Sequence, residues 1–349
     1  MRIRRRSTSW LAGAAVAAVA GSAVAWRRHR VASRLTGQTV VVTGGSRGLG
    51  FALTREFLAR GAHVWLLARD EDELVRARAR LRPVSSRVGI VPCDVRDVQS
   101  VLMAVSSIID RTGRIDVLVN NAGVMQVAPF AHTRIEDFED SLRTHFWGPL
   151  YMTRAVWPYM RRQGRGRILN IASIGGRVAV PHLLPYCAGK FALVGFSEGL
   201  RTELGADGIT VTTATPGLMR TGSHRNVWVR GQHEREAAWF ALASATSLTS
   251  MSAARAARQM VDACLRGRAT VTPGWQARAA TWAHTMAPEI VAALLAGVAS
   301  HVLPSGRHAS ATDDGRLSRD LHLGWIARTL PTRAAMHLNQ RVAADEAGR

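Results

Sequence analysis

From Thr36 to about Trp275 the chain alternates short apolar runs with longer stretches in which apolar residues recur every three or four positions. The short runs predict strands at Thr39–Thr43, His63–Ala68, Val88–Pro92, Ile115–Asn120, Arg167–Ala172, Ile209–Thr215 and Ala269–Thr272. Between them the longer pattern predicts helices, among them Leu49–Arg60, Glu71–Arg82, Val98–Thr112, Ile135–Gln163 and Pro185–Leu204. Regular alternation of this kind predicts an α/β domain over 36–275. Its core is a doubly wound parallel sheet of about seven strands with helices on both faces.

Both flanks depart from that pattern. Residues 1–35 carry an uncharged run from Trp10 to Trp26, with Arg2, Arg4, Arg5 and Arg6 before it and Arg27, Arg28, His29 and Arg30 after it. As a helix it is about 25 Å long, slightly short of a hydrocarbon core of about 30 Å. Eight of its residues are Ala, which adds little insertion energy, while Trp at both ends fits interfacial anchoring. The stretch Ala23-Val24-Ala25 keeps a cleaved signal peptide as the rival reading; the basic residues that follow favour an uncleaved membrane anchor. Towards the other end, Ile290–Leu303 is a second apolar stretch, bounded by Pro288 and Pro304. It is too short to span comfortably. An apolar helical extension over 276–304, packed on the domain, facing the substrate or dipped into a membrane face, is expected. Residues 305–349 read as an Arg-rich tail without a predicted fold.

Composition narrows the chemistry. The chain has 349 residues, of which 47% are hydrophobic and 20% charged, too apolar for a disordered chain. Cys93, Cys187 and Cys264 are too few and too scattered for a disulfide framework, and the twelve His show no metal-ligand spacing, so no metal is expected. The formal charge of +21 suggests nucleic acid or an anionic membrane surface. However, the Arg residues are spread along the whole length and no basic tract interleaves with aromatics, so no nucleic-acid partner is expected. Of the 46 basic residues only one is Lys, Lys190. Its neighbours decide what it is for.

The first predicted strand runs into Thr43-Gly44-Gly45-Ser46-Arg47-Gly48-Leu49-Gly50, where a helix begins. Glycines at such a turn let the backbone approach a pyrophosphate while the helix N-terminus supplies N–H donors. After the second strand stands Ala68-Arg69-Asp70. A carboxylate at that strand end selects the ribose 2′-OH of NAD(H), whereas Arg accommodates a 2′-phosphate. With Ala68 in the acidic slot, and Arg69 and Arg47 at hand, NADP(H) is favoured over NAD(H). Asp70 is the one residue that would reverse this if the strand ended later. Further on, Ser173 precedes Tyr186-Cys187-Ala188-Gly189-Lys190. Tyr and Lys four apart share a helix face, and an ammonium beside a phenol stabilises phenolate, making the phenol a usable acid and base near neutrality.

Together these residues resemble the short-chain dehydrogenase/reductase family over about 36–275, with a Rossmann-like fold. The resemblance also takes in Asp94-Val95 after the third strand, Asn120-Asn121-Ala122-Gly123 after the fourth, and Pro216, Gly217 and Thr221 after the sixth. It implies that Asp94 and Val95 hold the adenine, and that Asn121, Ala122 and Gly123 line the cofactor. Pro216, Gly217 and Thr221 would lie beside the nicotinamide. Gly44, Ser46, Arg47, Gly48, Leu49 and Gly50 would cradle the phosphates, with Arg69 at the 2′-position. Ser173, Tyr186 and Lys190 would be catalytic, Tyr186 and Lys190 also touching the cofactor. Many members carry Asn in the long helix before the serine, where it holds a proton-relay water. Here the aligned residue is His145, which can hold a water or relay a proton, or simply pack under the site.

The implied activity is NADP(H)-dependent interconversion of a carbonyl and an alcohol by hydride transfer, in a homo-oligomer. A lid between about Leu218 and Thr249 rich in Trp, Ala and small polar residues, the apolar segment and the anchor point to a lipophilic substrate. The anchor also points to attachment to a membrane, and the cofactor and reduced cysteines place the expected catalytic domain on the cytoplasmic side, as at a bacterial inner membrane. The alternative is a non-catalytic NADP(H)-binding sensor or scaffold, which would have no need of the Ser/Tyr/Lys set.

Overall fold

The computed structural model describes residues 35–245, 249–305 and 315–321. The predicted anchor, Trp10–Trp26, lies outside them. A seven-stranded parallel sheet forms the centre, in the order β3–β2–β1–β4–β6–β7–β11. Its strands are β1 (Thr39–Thr43), β2 (His63–Ala68), β3 (Val88–Pro92), β4 (Val117–Asn120), β6 (Gly166–Ile171), β7 (Ile209–Ala214) and β11 (Thr270–Val271). The order reverses between β1 and β4, the switch point at which open α/β sheets bind ligands.

The strands alternate their side chains between two cores. Val40, Val42, Val64, Leu66, Val119 and Leu169 face one layer. There they meet Leu53 and Phe57 of α1 (Gly48–Ala59), Leu74 of α2 (Glu71–Arg80) and Met260 of α8 (Ala253–Leu265). Val41, Leu67, Leu118, Ile168 and Val211 face the other. That layer is built from Val105 and Ile108 of α3 (Val98–Thr112) and Met152 and Val156 of α5 (Gly148–Arg162). Because both faces are covered, the strands read as nearly unbroken apolar runs.

The long helix expected over Ile135–Gln163 is interrupted. α4 (Ile135–Leu142) passes into a π-turn, Arg143–Trp147, before α5 begins. The Gly148 N–H bonds back five residues, to the Arg143 carbonyl, instead of four. The widened turn carries His145. Such π-bulges recur at functional sites, and here a glycine lets the next helix approach: a Cβ on Gly189 of α6 (Leu184–Leu204) would lie 2.8 Å from Ser141 Oγ and 3.1 Å from His145 Cβ.

Beyond the sheet's C-terminal edge lies a cover that includes the segment expected as a lid, about Leu218 to Thr249, with strand pairings that the sequence pattern does not show. β5 (Gln126–Val127) pairs with β9 (Trp228–Val229), and β9 with β12 (Arg316–Leu317). β8 (Leu218–Arg220) pairs with β10 (Ser250–Ser252). α7 (His233–Ala245) packs beside them. Part of the tail expected to lack a fold is therefore a strand, and the N–H of Ser318, just after it, bonds the Val227 carbonyl.

Among the described residues no single helix is long and apolar enough to cross a membrane. The apolar extension forms α9 (Trp275–Met286) and α10 (Pro288–His301), bent by 120° at the break before Pro288. Not one residue of α10 is buried.

Candidate active site

All the loops singled out by sequence converge on the C-terminal edge of the sheet, around the β1/β4 switch point. Gly44 turns the chain at φ +62°. A Cβ on Gly50 would lie 2.0 Å from the Gly44 carbonyl oxygen, so only glycine fits where α1 starts beneath the turn. Thr43 Oγ1 accepts the N–H groups of Asn121 (2.9 Å) and Ala122 (3.1 Å), while Asn121 Nδ2 donates to the carbonyls of Thr43 and Gly44. The two turns are thus locked together, and the unpaired first-turn N–H groups of α1 stand at their edge. This glycine cradle at a helix N-terminus fits a dinucleotide pyrophosphate.

The outer end of the cradle carries the expected charges with partners the sequence does not announce. Arg69 is exposed at the end of β2. Asp70 caps α2 by accepting the Glu73 N–H at 2.9 Å, so it serves the helix. Arg47 Nη1 donates to Glu73 Oε1 at 2.7 Å, and Ser46 Oγ donates to Glu73 Oε2 at 3.1 Å. Asp94 binds Arg96 through both carboxylate oxygens, and Val95 is buried beneath. Burial would raise the Asp94 pKa, but the hydrogen bonds and charge of Arg96, with Arg69 nearby, hold it below the usual carboxylate value.

Ser173 follows β6 and caps a short 3₁₀ turn, its Oγ accepting the Gly175 N–H at 3.0 Å. Its hydroxyl lies near Tyr186, close enough to lower the phenol's pKa. Lys190 lies one helical turn after Tyr186, with Nζ 5.6 Å from the Tyr186 ring centre and donating to the Ile171 carbonyl at 2.8 Å. The three residues meet as the motif requires, but the electrostatics differ from the expectation. Burial pushes the Tyr186 phenol above its ordinary value, and the neighbouring Ser173 hydroxyl only partly opposes it. Burial also brings Lys190 down to about 7. The phenol is therefore held protonated.

His145 is 1% exposed. Its Nε2 meets the Val124 carbonyl at 2.8 Å, and its ring stands edge-on to Tyr186 with centroids 5.3 Å apart. Gly123 lies against it: an added Cβ would be 2.9 Å from His145 Cε1. Pro216 and Gly217 pass next to Ser173, the Pro216 carbonyl accepting the Ile174 N–H at 2.8 Å, and Thr221 is buried in the loop that follows.

Beneath the site runs a buried polar chain that motif reading misses beyond its first member. Asn120 Nδ2 donates to Asn170 Oδ1 (2.8 Å), Asn170 Nδ2 to Ser197 Oγ (3.0 Å), and Thr213 Oγ1 to the same Ser197 oxygen (2.7 Å). It ties β4, β6 and β7 to α6 directly under Ser173 and Tyr186. Beside Tyr186 the wall is apolar: Met125, Val127, Leu183, Leu218, Val227 and Phe240 pack in one cluster with it.

Comparison with known proteins agrees with this geometry. Residues 38–230 match the family model described as short chain dehydrogenase, and the chain belongs to that family. It is 33% identical over 268 residues to an 11-beta-hydroxysteroid dehydrogenase-like protein, 4A, of Arabidopsis thaliana, covering 76% of this chain and 86% of the relative. It is 38% identical over 183 residues to a granaticin polyketide synthase putative ketoacyl reductase of Streptomyces violaceoruber, covering 52% of this chain and 67% of the relative. Among solved structures, a short-chain dehydrogenase of Streptomyces avermitilis superposes with a TM-score of 0.63 at 29% identity, covering 75% of this chain and 97% of that one. An actinorhodin polyketide ketoreductase variant solved with NADPH gives 0.61 at 29% identity, covering 69% and 99%. The chain is an NAD(P)-dependent dehydrogenase/reductase.

Proposed function

We propose that this chain interconverts a hydrophobic carbonyl compound and its alcohol with NADP(H), working at a membrane with its catalytic domain on the cytoplasmic side. The observation that carries the reading is that Ser173 and Tyr186 are neighbours against an apolar wall, with the chain's single lysine one helical turn further on. Arg47 and Arg69 at the outer end of the cradle support a 2′-phosphate. Apolar residues left exposed on α9 and α10, Trp282 (71%), Ile290 and Leu294 among them, support a lipid surface.

The chemistry that a nicotinamide held in the cradle would supply is hydride transfer to or from the carbonyl carbon. Tyr186 gives its proton to the developing alkoxide during reduction and recovers it during oxidation; burial keeps the phenol in the donating form. Ser173 fixes the carbonyl oxygen beside that phenol. Lys190 spends one N–H on Ile171 and, as the ammonium, has two to offer the cofactor's ribose hydroxyls. Met125, Leu183 and Leu218 exclude water and favour an apolar substrate over a charged one.

The test is NADPH oxidation by the detergent-extracted chain against a panel of lipophilic ketones and aldehydes, with Tyr186→Phe alongside. The variant is expected to bind NADPH nearly as the parent does and to lose turnover by at least two orders of magnitude. Substantial residual turnover would refute the role of Tyr186.

A further inference from the structure

Glu73 is 4% exposed and sits on the first turn of α2, directly under the glycine turn. A carboxylate at that depth needs partners, and both named above come from the turn: the Ser46 hydroxyl on one oxygen and the Arg47 guanidinium on the other. Arg47 keeps about a third of its side chain in solvent (34%), so one part of the guanidinium is bound from behind while the rest stays open. Arg69 stands exposed on the neighbouring strand end. The cationic face available to a phosphate therefore has a negative charge fixed at its back. That arrangement has two consequences of opposite sign. The carboxylate denies Arg47 the many rotamers of a free arginine, and its charge subtracts from the field that Arg47 and Arg69 present.

We infer that Glu73 is a specificity-determining residue for the cofactor: it orients Arg47 towards the 2′-phosphate and, through its charge, limits how much affinity that phosphate adds. The inference rests on the reading of Arg47 as a 2′-phosphate contact. A helix-pinning role alone would leave nucleotide discrimination untouched, because Asp70 already caps α2. Glutamine at 73 separates charge from shape. Its amide can still accept from Arg47 and meet Ser46, now as a donor, but it carries no charge.

The experiment titrates the full chain with 2′,5′-ADP and with 5′-AMP, which differ only in the 2′-phosphate, by calorimetry at low and high salt. The parent is expected to prefer 2′,5′-ADP. E73Q is expected to enlarge that preference about fivefold at low salt, with 5′-AMP affinity held within about twofold, and to lose most of the gain at 0.5 M salt through screening. In an R47M background E73Q is expected to add much less, since only the field of Arg69 is then left for the carboxylate to offset. E73M, similar in volume and uncharged but unable to hold Arg47, is expected to enlarge the preference by less than E73Q does, and serves if the glutamine variant does not fold. A parent that prefers 2′,5′-ADP with a ratio unchanged in both Glu73 variants overturns the inference and leaves the NADP(H) reading standing. A parent that does not distinguish the two nucleotides overturns the NADP(H) reading, and the inference with it.

Discussion

The imidazole of His145 stands edge-on to the Tyr186 ring, with centroids 5.3 Å apart, and its Nε2 donates to the Val124 carbonyl at 2.8 Å. A carbonyl only accepts, so Nε2 carries the proton and Nδ1 is the ring's lone-pair nitrogen. Among the described residues Nδ1 is buried with no hydrogen-bond partner. Burial, and then the charge of Lys190, hold the His145 pKa well below its ordinary value, so the ring stays neutral through the physiological range. A shuttle through an imidazolium is thereby disfavoured. What the ring can offer is an acceptor at Nδ1.

His145→Ala is therefore expected to lower kcat by about tenfold, and His145→Asn, which keeps a side-chain acceptor, by less. Neither should remove a pH limb, because the neutral ring contributes none. Steady-state rates from pH 5 to 9 check both statements. An alanine variant with unaltered kcat and pH profile would reduce His145 to packing.

Lys190 makes stability depend on pH. Its value falls from 10.5 to about 7 on burial, so between those limits the unfolded chain binds the extra proton and folding is favoured by raising the pH. Below pH 7 the buried ammonium destabilises in full, by at most about 5 kcal/mol at 1.4 kcal/mol per pH unit, a cost that the Ile171 hydrogen bond partly offsets. Lys190→Met should therefore be more stable than the parent by about 2 kcal/mol at pH 6, with the gain fading towards pH 10. Urea unfolding at four pH values measures this. A variant less stable than the parent at pH 6 would show that the ammonium is well solvated in the folded state.

Much of this architecture is legible in the chain because it rests on local rules. β1, Thr39–Thr43, is buried at every position, and Gly44, Gly48 and Gly50 punctuate the turn after it. Ser173, Tyr186 and Lys190 lie on consecutive elements whose ends must meet at one edge of a parallel sheet. What escapes sequence reading is set by tertiary packing. The π-turn at His145 sits where Gly189 lets its helix come close to Ser141, a packing that no periodicity encodes. Two-residue strands such as Arg316–Leu317 are too short to show alternation. Glu73 reads as one more acid in the first turn of a helix, where acids complement the dipole anyway. Its burial under Arg47 appears only once α2 is folded back on the turn.

Gly50 tests the cradle independently of chemistry. With 2.0 Å to the Gly44 carbonyl, an alanine methyl cannot be accommodated without moving backbone on both sides. Gly50→Ala is expected to cost about 2 kcal/mol or more of stability and to abolish nucleotide binding, whereas Gly199→Ala, with open space around it on α6, should be neutral or stabilising. Thermal melts and fluorescence titration with NADPH distinguish the pair. Equal behaviour of the two variants would mean that the turn is looser than it stands here.

The cover over the site is held by a carboxylate with no exposure at all. Glu236 on α7 accepts from His182 Nδ1 at 2.9 Å and from Trp239 Nε1 at 2.7 Å. His182 is the one non-glycine residue at positive φ (62°) among those described, four residues before Tyr186, and its own carbonyl takes the Ala128 N–H. A strained backbone persists where its surroundings over-determine it, and here the surroundings are the α7 carboxylate and β5. Releasing the carboxylate should let α7 and the loop before Tyr186 relax together. Glu236→Ala is expected to lose about 3 kcal/mol of stability. Glu236→Gln, which still accepts one hydrogen bond, should lose about 1 kcal/mol and raise KM for the carbonyl substrate several-fold, with the Kd for NADPH unchanged. Equilibrium unfolding, substrate saturation curves and NADPH titration read these separately. A KM left at the parent value in a Glu236→Gln variant of reduced stability would make the contact a brace for the fold with no hold on the substrate.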